Sequence, residues 1–532
     1  MNKRLVECVP NFSEGRDMGI IKEITDAITS VEGIKLLDVD PGQATNRTVV
    51  TFVGEPEAVA EAAFRGVKKA SEVIDMRHHK GAHPRIGATD VLPIIPVAGI
   101  TLEECAEIAR TLAKRIYDEL GIPTYNYEAA AQRPERRNLA VCRKGECEGL
   151  EKRISDPNEA PDFGPGKYTE QAARSGATVV GARDFLIAVN FNLNTTSTRR
   201  ANAIAYDVRE KGRPMREGGS PVGKPLKDAE GNTIMIPGTL KGTKAIGWFI
   251  EEYGIAQVSM NITDISRTPL HAAFDEVCRK ADARGVRVTG TEIVGLVPKR
   301  ALVEAGKYFL RKQRRSTGVA EEEIIRIAVK SMGLDDLKPF DPAEKVIEYL
   351  LEAEVPKKRL IDMTCKAFAE ETASESPAPG GGSIAAYMGA LGAALGTMVA
   401  NLSSHKAGWD DRWEEFSDWA ERGQAVLAEL LHLVDEDTAA FNRIMAVFAM
   451  PKSTDEEKAA RSAALQEATL YATEVPLRTM KAASRVFEIV RAMASEGNPN
   501  SVSDAGVGAL AARSAVLGAC LNVKINAAGL KD

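Results

Sequence analysis

At Val346 the sequence changes character. Before it, short runs rich in β-branched residues alternate with amphipathic segments of helical period. After it, strand patterns vanish and long Ala/Leu-rich helical patterns take over. Few architectures accept such a switch. Strands alternating with helices imply α/β layers, and helices following one another imply a bundle. The expected fold is a two-subdomain α/β part of mixed sheets with outer helices, followed by an all-α helical-bundle domain. A chain of 532 residues has room for about three domains. The boundaries expected are 1–178 and 179–326 for the α/β subdomains, 327–345 for a linker and 346–532 for the helical domain.

The α/β part is readable element by element. Leu5 to Val9 reads as a first strand and Pro10 to Arg16 as a turn. Arg16 and the turn's amides could hold an anion; a cap for the amphipathic segment Ile20–Thr29 is the other reading. Ile34 to Val39 reads as a second strand leading into Asp38-Val39-Asp40, and period-2 alternation puts Asp38 and Asp40 on one face. Thr48–Val53 is a third strand, Pro56–Val73 and Leu102–Leu120 are helices, and Thr124–Tyr127 is a short strand. A second unit follows, with strands at Phe185–Asn190, Ala245–Ile250, Ala256–Ile262 and within Val286–Val297. Its helices are Arg199–Lys211 and Leu270–Ala283, and a hairpin is expected around Glu230-Gly231-Asn232.

One stretch, Asp75 to Val97, concentrates chemistry. Three of the six histidines (His78, His79, His83) stand there with Arg77, Lys80, Arg85, Asp90, Gly81 and Gly87, before an apolar run that reads as a buried strand. Imidazole is suited to proton exchange near neutral pH, and glycine lets backbone approach a ligand closely. The stretch reads as a catalytic loop. A solvated basic loop is a competing reading, and a metal site is the weakest, because His78 and His79 are adjacent and no cysteine is near. A carboxylate at a strand end, such as Asp40, is well placed to orient an imidazole. Asp156–Lys167 (DPNEAPDFGPGK) reads as a loop in which Phe163, Gly164 and Pro165 could offer a ring face and bare backbone.

In the helical part, Ser376-Pro377-Ala378-Pro379 precedes Gly380 to Gly382 and Ser383. A glycine turn opening a helix supplies free amides, either an anion site or a hinge with an N-cap. Gly389, Gly392, Ala393 and Gly396 allow close helix packing. Asp435, Glu436 and Asp437 interrupt an otherwise apolar helix; burial would raise their pKa values, and a surface cluster is the alternative. The apolar run Ile384–Leu402 is long enough to span a bilayer, but its small residues favour a buried bundle helix.

The totals narrow the class. A net charge of −6 argues against a general nucleic-acid binder. Seven scattered cysteines fit a reducing compartment, and MNKRLVECVPNF has no long apolar leader. A cytoplasmic protein without metal, nucleotide cofactor or membrane span is expected; no Walker A or GxGxxG pattern occurs.

Several motifs together carry a resemblance. VECVPNFSEGR at 6–16, LLDVD at 36–40, TNRTVVTFVG at 45–54, HHKGAHPRIGATDV at 78–91 and APDFGP at 160–165 resemble glutamate formimidoyltransferases. Ser376–Ser383 followed by LVDEDTAAF at 433–441 resembles formimidoyltetrahydrofolate cyclodeaminases. In this order they resemble the bifunctional formimidoyltransferase-cyclodeaminase family over nearly the whole chain. The resemblance implies transfer of a formimidoyl group from N-formimidoyl-L-glutamate to N5 of tetrahydrofolate. It then implies cyclodeamination to 5,10-methenyltetrahydrofolate and ammonia, at the end of histidine degradation. It implies that His83 and Asp40 serve transfer, that Asp162, Phe163, Gly164 and Pro165 contribute to the folate site, and that Asp437 serves cyclodeamination. It also implies self-association into dimers and a larger ring, and a tetrahydrofolate co-substrate that can be polyglutamylated. The basic run Arg311-Lys312-Gln313-Arg314-Arg315 could contact such a tail. Three departures are a Gly212–Gly242 segment longer than in the animal enzymes, Ala82, where relatives can carry Glu, and the end at Gly529–Asp532 without the expected closing helix. The last keeps open a transferase whose helical domain is inactive and serves assembly.

Overall fold

The computed structural model describes residues 4–43, 45–81, 83–164, 166–220, 222–352 and 359–531; Ala82 and Pro165 lie outside them. Two compact units emerge. One holds residues up to Ala301 together with Met332–Glu352, and the other holds Leu302–Ser331 with the chain from Ala353.

In the first unit the sheet contains β1 (Leu5–Cys8), β2 (Asn11–Phe12), β3 (Lys35–Gly42), β4 (Arg47–Gly54), β5 (Thr89–Ala98), β6 (Thr124–Glu128) and β7 (Thr178–Ala182). The order is β1-β4-β2-β5-β7-β6, with β3 beside β4. Both β1 and β2 pair with β4 and β5, so they are halves of one strand interrupted at Pro10, which lacks the ladder's N–H. β5, β7 and β6 run parallel and the other pairs antiparallel, which makes the sheet mixed.

Alternation divides this sheet into two unlike faces. Val6, Cys8, Phe12, Val50 and Phe52 are buried in one core cluster with Ile24, Val59, Val67, Ala109 and Leu112 from three covering helices. Those helices are Met18–Thr29, Pro56–Val73 and Leu102–Leu120. Asp17 caps the first, accepting from the amides of Gly19 (2.8 Å) and Ile20 (3.2 Å). Thr101 and Glu104 cap the last reciprocally. Glu7, Asn11, Arg47 and Asp40 leave from the opposite face: Glu7 faces Val53, Asn11 faces Val49, Asp40 faces Val49 and Gly42 faces Arg47 across the ladders.

A second, antiparallel sheet runs β11-β12-β8-β13, from β8 (Ile187–Leu193), β11 (Thr243–Ile250), β12 (Ile255–Ile262) and β13 (Val288–Val294). Its Val189 and Phe191 are buried, and so are the alternate polar residues Asn190 and Asn192. Asn192 accepts from Gln257 (2.8 Å), and Glu292 accepts from Asn190 (3.0 Å) and Tyr253 (3.2 Å). Between β8 and β11, the two-residue strands β9 (Arg213–Pro214) and β10 (Met235–Ile236) flank the expected hairpin, where Asp228 and Asn232 hydrogen-bond around Gly231 at φ +85°. Strand β7 is not expected from the sequence: it follows a short helix, Glu170–Ser175, and its five residues are too few to show alternation.

The helical unit packs Gly381–Ser404, Trp413–Phe448, Asp455–Glu496 and Val502–Ala527 around Leu430, Leu433, Val486 and Ile489. Segment 302–331 belongs to it: the Thr317 amide donates to Ser417 Oγ at 3.0 Å and Asn401 donates to the Gly318 carbonyl at 2.8 Å. Gly381–Ser404 and Pro499–Ala527 are long and apolar enough to cross a membrane by length and composition. The first is largely buried among its neighbours, and the second exposes Val507, Leu510, Leu517, Leu521 and Ile525.

Candidate active sites

The histidine loop is held by residues outside it. Asn46, buried and at φ 47°, is the keystone. Asn tolerates the left-handed region better than most residues. Its side chain accepts from the Gly15 amide (3.0 Å) and donates to the Lys80 carbonyl (3.0 Å). Its carbonyl accepts from His79 Nε2 at 2.9 Å. His79 Nδ1 in turn accepts from Arg85 Nε at 3.2 Å, so this imidazole is a neutral strut. A Cβ on Gly81 would stand 2.1 Å from the Thr45 carbonyl oxygen, which is why glycine is required there.

His83 is differently placed. Its Nδ1 lies 2.7 Å from the Pro84 carbonyl. A carbonyl only accepts, so Nδ1 carries the proton and Nε2 keeps a free lone pair. Burial first, then the Arg47 and Arg143 guanidiniums, hold its pKa down at about 4. His83 is therefore neutral at physiological pH. The two arginines meet on Asp90, which is 0 % exposed. Arg47 Nη1 and Arg143 Nη2 both donate to Asp90 Oδ2, while Arg143 Nε (3.2 Å) and the Ile86 amide (2.9 Å) reach Oδ1. Arg47 Nε also donates to Asn11 Oδ1 at 3.1 Å. One carboxylate against two guanidiniums leaves the cluster one positive charge in excess.

Asp40 shares the sheet face of Arg47, but its charged neighbours are Lys345, Glu292 and Lys338. Burial raises its pKa. No hydrogen bond joins it to His83 among the described residues; the imidazole's orienting partner is the Pro84 carbonyl. Glu7, on the same face, is pushed up to about 7 by burial, against the opposing pull of Arg183.

The loop containing Asp162 is anchored firmly. Asp162 pairs with Arg136 (2.7 Å) and accepts from the Asn126 amide (2.8 Å), and Phe163 bridges Thr124 by backbone. Gly164, at φ +90°, abuts Tyr117. Asp162 lines one wall of a cavity of about 450 Å³ with Gln132, Arg133 and Pro157.

In the helical unit, the three consecutive acids point apart. Asp435 accepts from the Leu360 amide (2.6 Å), and Glu436 lies 3.6 Å from His432. Asp437 meets the N-terminus of Gly381–Ser404, accepting from the Ser383 amide (2.9 Å) and Ser383 Oγ (3.0 Å). A Cβ on Gly382 would stand 2.1 Å from Asp437 Oδ1. The glycine turn thus receives a carboxylate of the chain itself where the sequence reading left room for a bound anion. Burial nonetheless raises the Asp437 pKa, with the Ser383 bonds opposing it. Among the described residues no group of three or more His, Cys, Asp or Glu could hold a metal ion.

The sequence alone gave no role to Asn11, Asn46, Arg47, Asp90 or Arg143. Only their charge or turn character was visible. Their convergence depends on strand pairing and on a short helix, Leu139–Cys142, far along the chain.

Comparison with known proteins covers nearly the whole sequence. Residues 5–183 match the family model "Formiminotransferase domain, N-terminal subdomain", 188–352 match "Formiminotransferase domain" and 364–532 match "Formiminotransferase-cyclodeaminase". The chain is 42% identical over 529 residues to the formimidoyltransferase-cyclodeaminase of Rattus norvegicus, covering 99% of this chain and 93% of that one. It is 42% identical over 309 residues to a glutamate formimidoyltransferase of Thermoplasma acidophilum (58% of this chain, 92% of the other). Its helical part is 40% identical over 169 residues to a methenyltetrahydrofolate cyclohydrolase of Methylorubrum extorquens (32% and 81%). With both catalytic parts matched in the same order and nearly end to end, this chain belongs to the formimidoyltransferase-cyclodeaminase family.

Proposed function

We infer that the chain transfers the formimidoyl group of N-formimidoyl-L-glutamate to N5 of tetrahydrofolate, and then cyclises the product to 5,10-methenyltetrahydrofolate with release of ammonia. The observation that carries this reading is the full-length match, with a free imidazole lone pair at His83 and a protonatable carboxyl at Asp437 in the respective parts.

In the transfer, N5 forms a bond to the amidine carbon and gives up its proton, which His83 Nε2 accepts. The C–N bond to glutamate then breaks, and the same imidazolium returns the proton to the leaving nitrogen. A low imidazole pKa makes the second half easy. Asp40, as a carboxylate on the sheet face of Arg47, is proposed to stabilise positive charge that develops in the transfer, and Asp162 to Pro165 to border the folate. In the second reaction N10 attacks the same carbon, and Asp437 as the acid protonates the departing nitrogen.

Further parts of the proposal concern setting. The seven cysteines are all free thiols, which supports a cytoplasmic location. The apolar stripe of helix Val502–Ala527 supports self-association through the helical unit. The run Arg311–Arg315 is proposed to attract a polyglutamate tail, although Arg311 already lies 3.4 Å from Glu421. Unchanged affinity for polyglutamylated folate after its neutralisation would remove that part.

The deciding measurement is an ultraviolet time course with both substrates, with ammonia assayed in parallel. Growth of the methenyl absorption with matching ammonia is expected. Glutamate release without enzyme-accelerated ammonia would confine the chain to transfer, and release of neither would refute the reading.

A further inference from the structure

We propose that Arg47 and Arg143, joined through Asp90, form a two-pronged clamp for the α-carboxylate of the formimidoyl donor, and that this clamp selects an amino-acid donor. The inference rests on the transfer reaction assigned above.

Asp90 is wholly buried and fixed by the Ile86 amide, so it cannot swing away. It draws one edge of each guanidinium. Arg47 spends Nη1 on Asp90 and Nε on Asn11; Arg143 spends Nε and Nη2 on Asp90. The remaining amino groups, Arg47 Nη2 and Arg143 Nη1, have no acceptor among the described residues. Their side chains are 9% and 15% exposed, so the clamp is nearly dry but reachable. Two donors, one excess positive charge and little water favour a carboxylate, because charge-assisted bonds are strongest where water is scarce.

Position identifies which carboxylate. The clamp is electrostatically coupled to His83, the group assigned to the reacting carbon. In the donor, the α-carboxylate stands three bonds from that carbon, through the amide-like nitrogen and Cα. In tetrahydrofolate, the glutamate carboxylates lie beyond the p-aminobenzoyl group, far from N5. A carboxylate in the clamp with the reacting carbon near His83 is the donor's.

Occupancy also tunes the base. The charged groups facing His83 are Arg47 from β4, Arg143 from the turn after Leu139–Cys142 and Asp90 from β5; the Pro84 carbonyl holds Nδ1. A carboxylate on the clamp cancels its one excess positive charge, so the imidazole becomes a better base once the donor is bound.

The test compares kcat/KM for N-formimidoyl-glutamate with that for N-formimidoyl-4-aminobutyrate, the same donor without its α-carboxylate. The enzymes are the full-length chain, Arg143→Met and Arg143→Lys, and the acceptors are tetrahydrofolate and tetrahydropteroate, which has no glutamate tail. The unaltered enzyme should prefer the carboxylated donor by ~100-fold, the scale of a pair of charge-assisted hydrogen bonds. Arg143→Met should shrink that preference to a few-fold and Arg143→Lys should retain part of it. The acid limb of kcat/KM should also move upward in Arg143→Met, because a cation has left the imidazole's side. Each preference is a ratio within one enzyme, so loss of folded protein cancels. An undiminished donor preference in Arg143→Met overturns the clamp. So does a preference for tetrahydrofolate over tetrahydropteroate that disappears in Arg143→Met, since that would place the folate tail there. Absence of transfer by the unaltered enzyme would instead overturn the reaction assigned above.

Discussion

The two proposed sites solve opposite problems. At His83, burial and two arginines push a base toward its neutral form. At Asp437, burial pushes an acid toward its neutral form against the pull of Ser383. His83 thereby stands ready uncharged, and Asp437 is shifted toward its protonated form. They differ in how they are assembled. The His83 surroundings draw on β2, β4, β5, the histidine loop and the Leu139–Cys142 turn, whereas Asp437 needs only one helix crossing the glycine turn of another. Burial is the leading cause in both; at His83 two cations reinforce it, whereas at Asp437 the Ser383 contacts oppose it.

Exchange of variants is the severest trial of that contrast. His83→Ala should lower transfer by roughly 10²–10⁴-fold, the range for loss of a general base. It should leave cyclodeamination of supplied 5-formimidoyltetrahydrofolate untouched. Asp437→Asn should do the reverse, on ammonia release. Asparagine can still accept from Ser383 through its carbonyl, so the helix contact survives. If either substitution silences both reactions while the protein remains folded by circular dichroism, the two sites are not independent as described.

The pH profiles should separate in the same way, with a smaller effect. Transfer needs neutral His83, so its kcat/KM should hold down to about pH 5 and fall toward the imidazole's value of about 4, below the range of an ordinary histidine. Cyclodeamination needs protonated Asp437, so its rate should fall as pH rises through the elevated carboxyl pKa. Parallel rate–pH measurements on the two half-reactions check both signs. Transfer that titrates near 6.5 would mean that neither burial nor the Arg47 and Arg143 charges act on His83 as described.

Much of the fold was legible because the hydrophobic period was clear. Pro56–Val73 and Leu102–Leu120 have the limits that the spacing predicted. β3 runs to Gly42, past Val39, because a ladder opposite Arg47–Thr51 overrides the weak strand preference of Asp and Pro. In the sites, the reacting residue types were legible and their supports were not. His83 stands in a histidine-rich stretch, but the excess positive charge beside it comes from Arg47 and Arg143, 96 positions apart, brought together by Asp90. No local pattern announces such a meeting. Asp435 and Asp437 look equivalent in sequence, and only the helical turn separates the one at Leu360 from the one at Ser383.

Glu7 sharpens the comparison by its cost. It lies on the polar sheet face with Arg47 and Asp40, is 3% exposed, and has its pKa raised by burial from 4.5 to about 7. Between those two values the unfolded chain releases the proton and the folded chain keeps it, so this group's contribution to stability falls as pH rises from 4.5 to 7 and stays lowered above. The shift corresponds to about 3 kcal/mol. His83 works in the other direction: its folded pKa lies below the unfolded value, so its contribution is lost as pH falls from 6.5 toward 4. The two slopes oppose each other over nearly one window. Glu7→Gln keeps the shape and hydrogen-bonding capacity but removes one slope. Denaturant titrations should therefore find the variant more stable than the natural chain at pH 8, by at most about 3 kcal/mol because Arg183 loses its counter-charge, and no more stable at pH 4. A difference that does not change with pH would mean that Glu7 is already ionised in the folded protein. The polar face would then carry a fixed negative charge opposite Arg183, and the slope from His83 would run unopposed by Glu7.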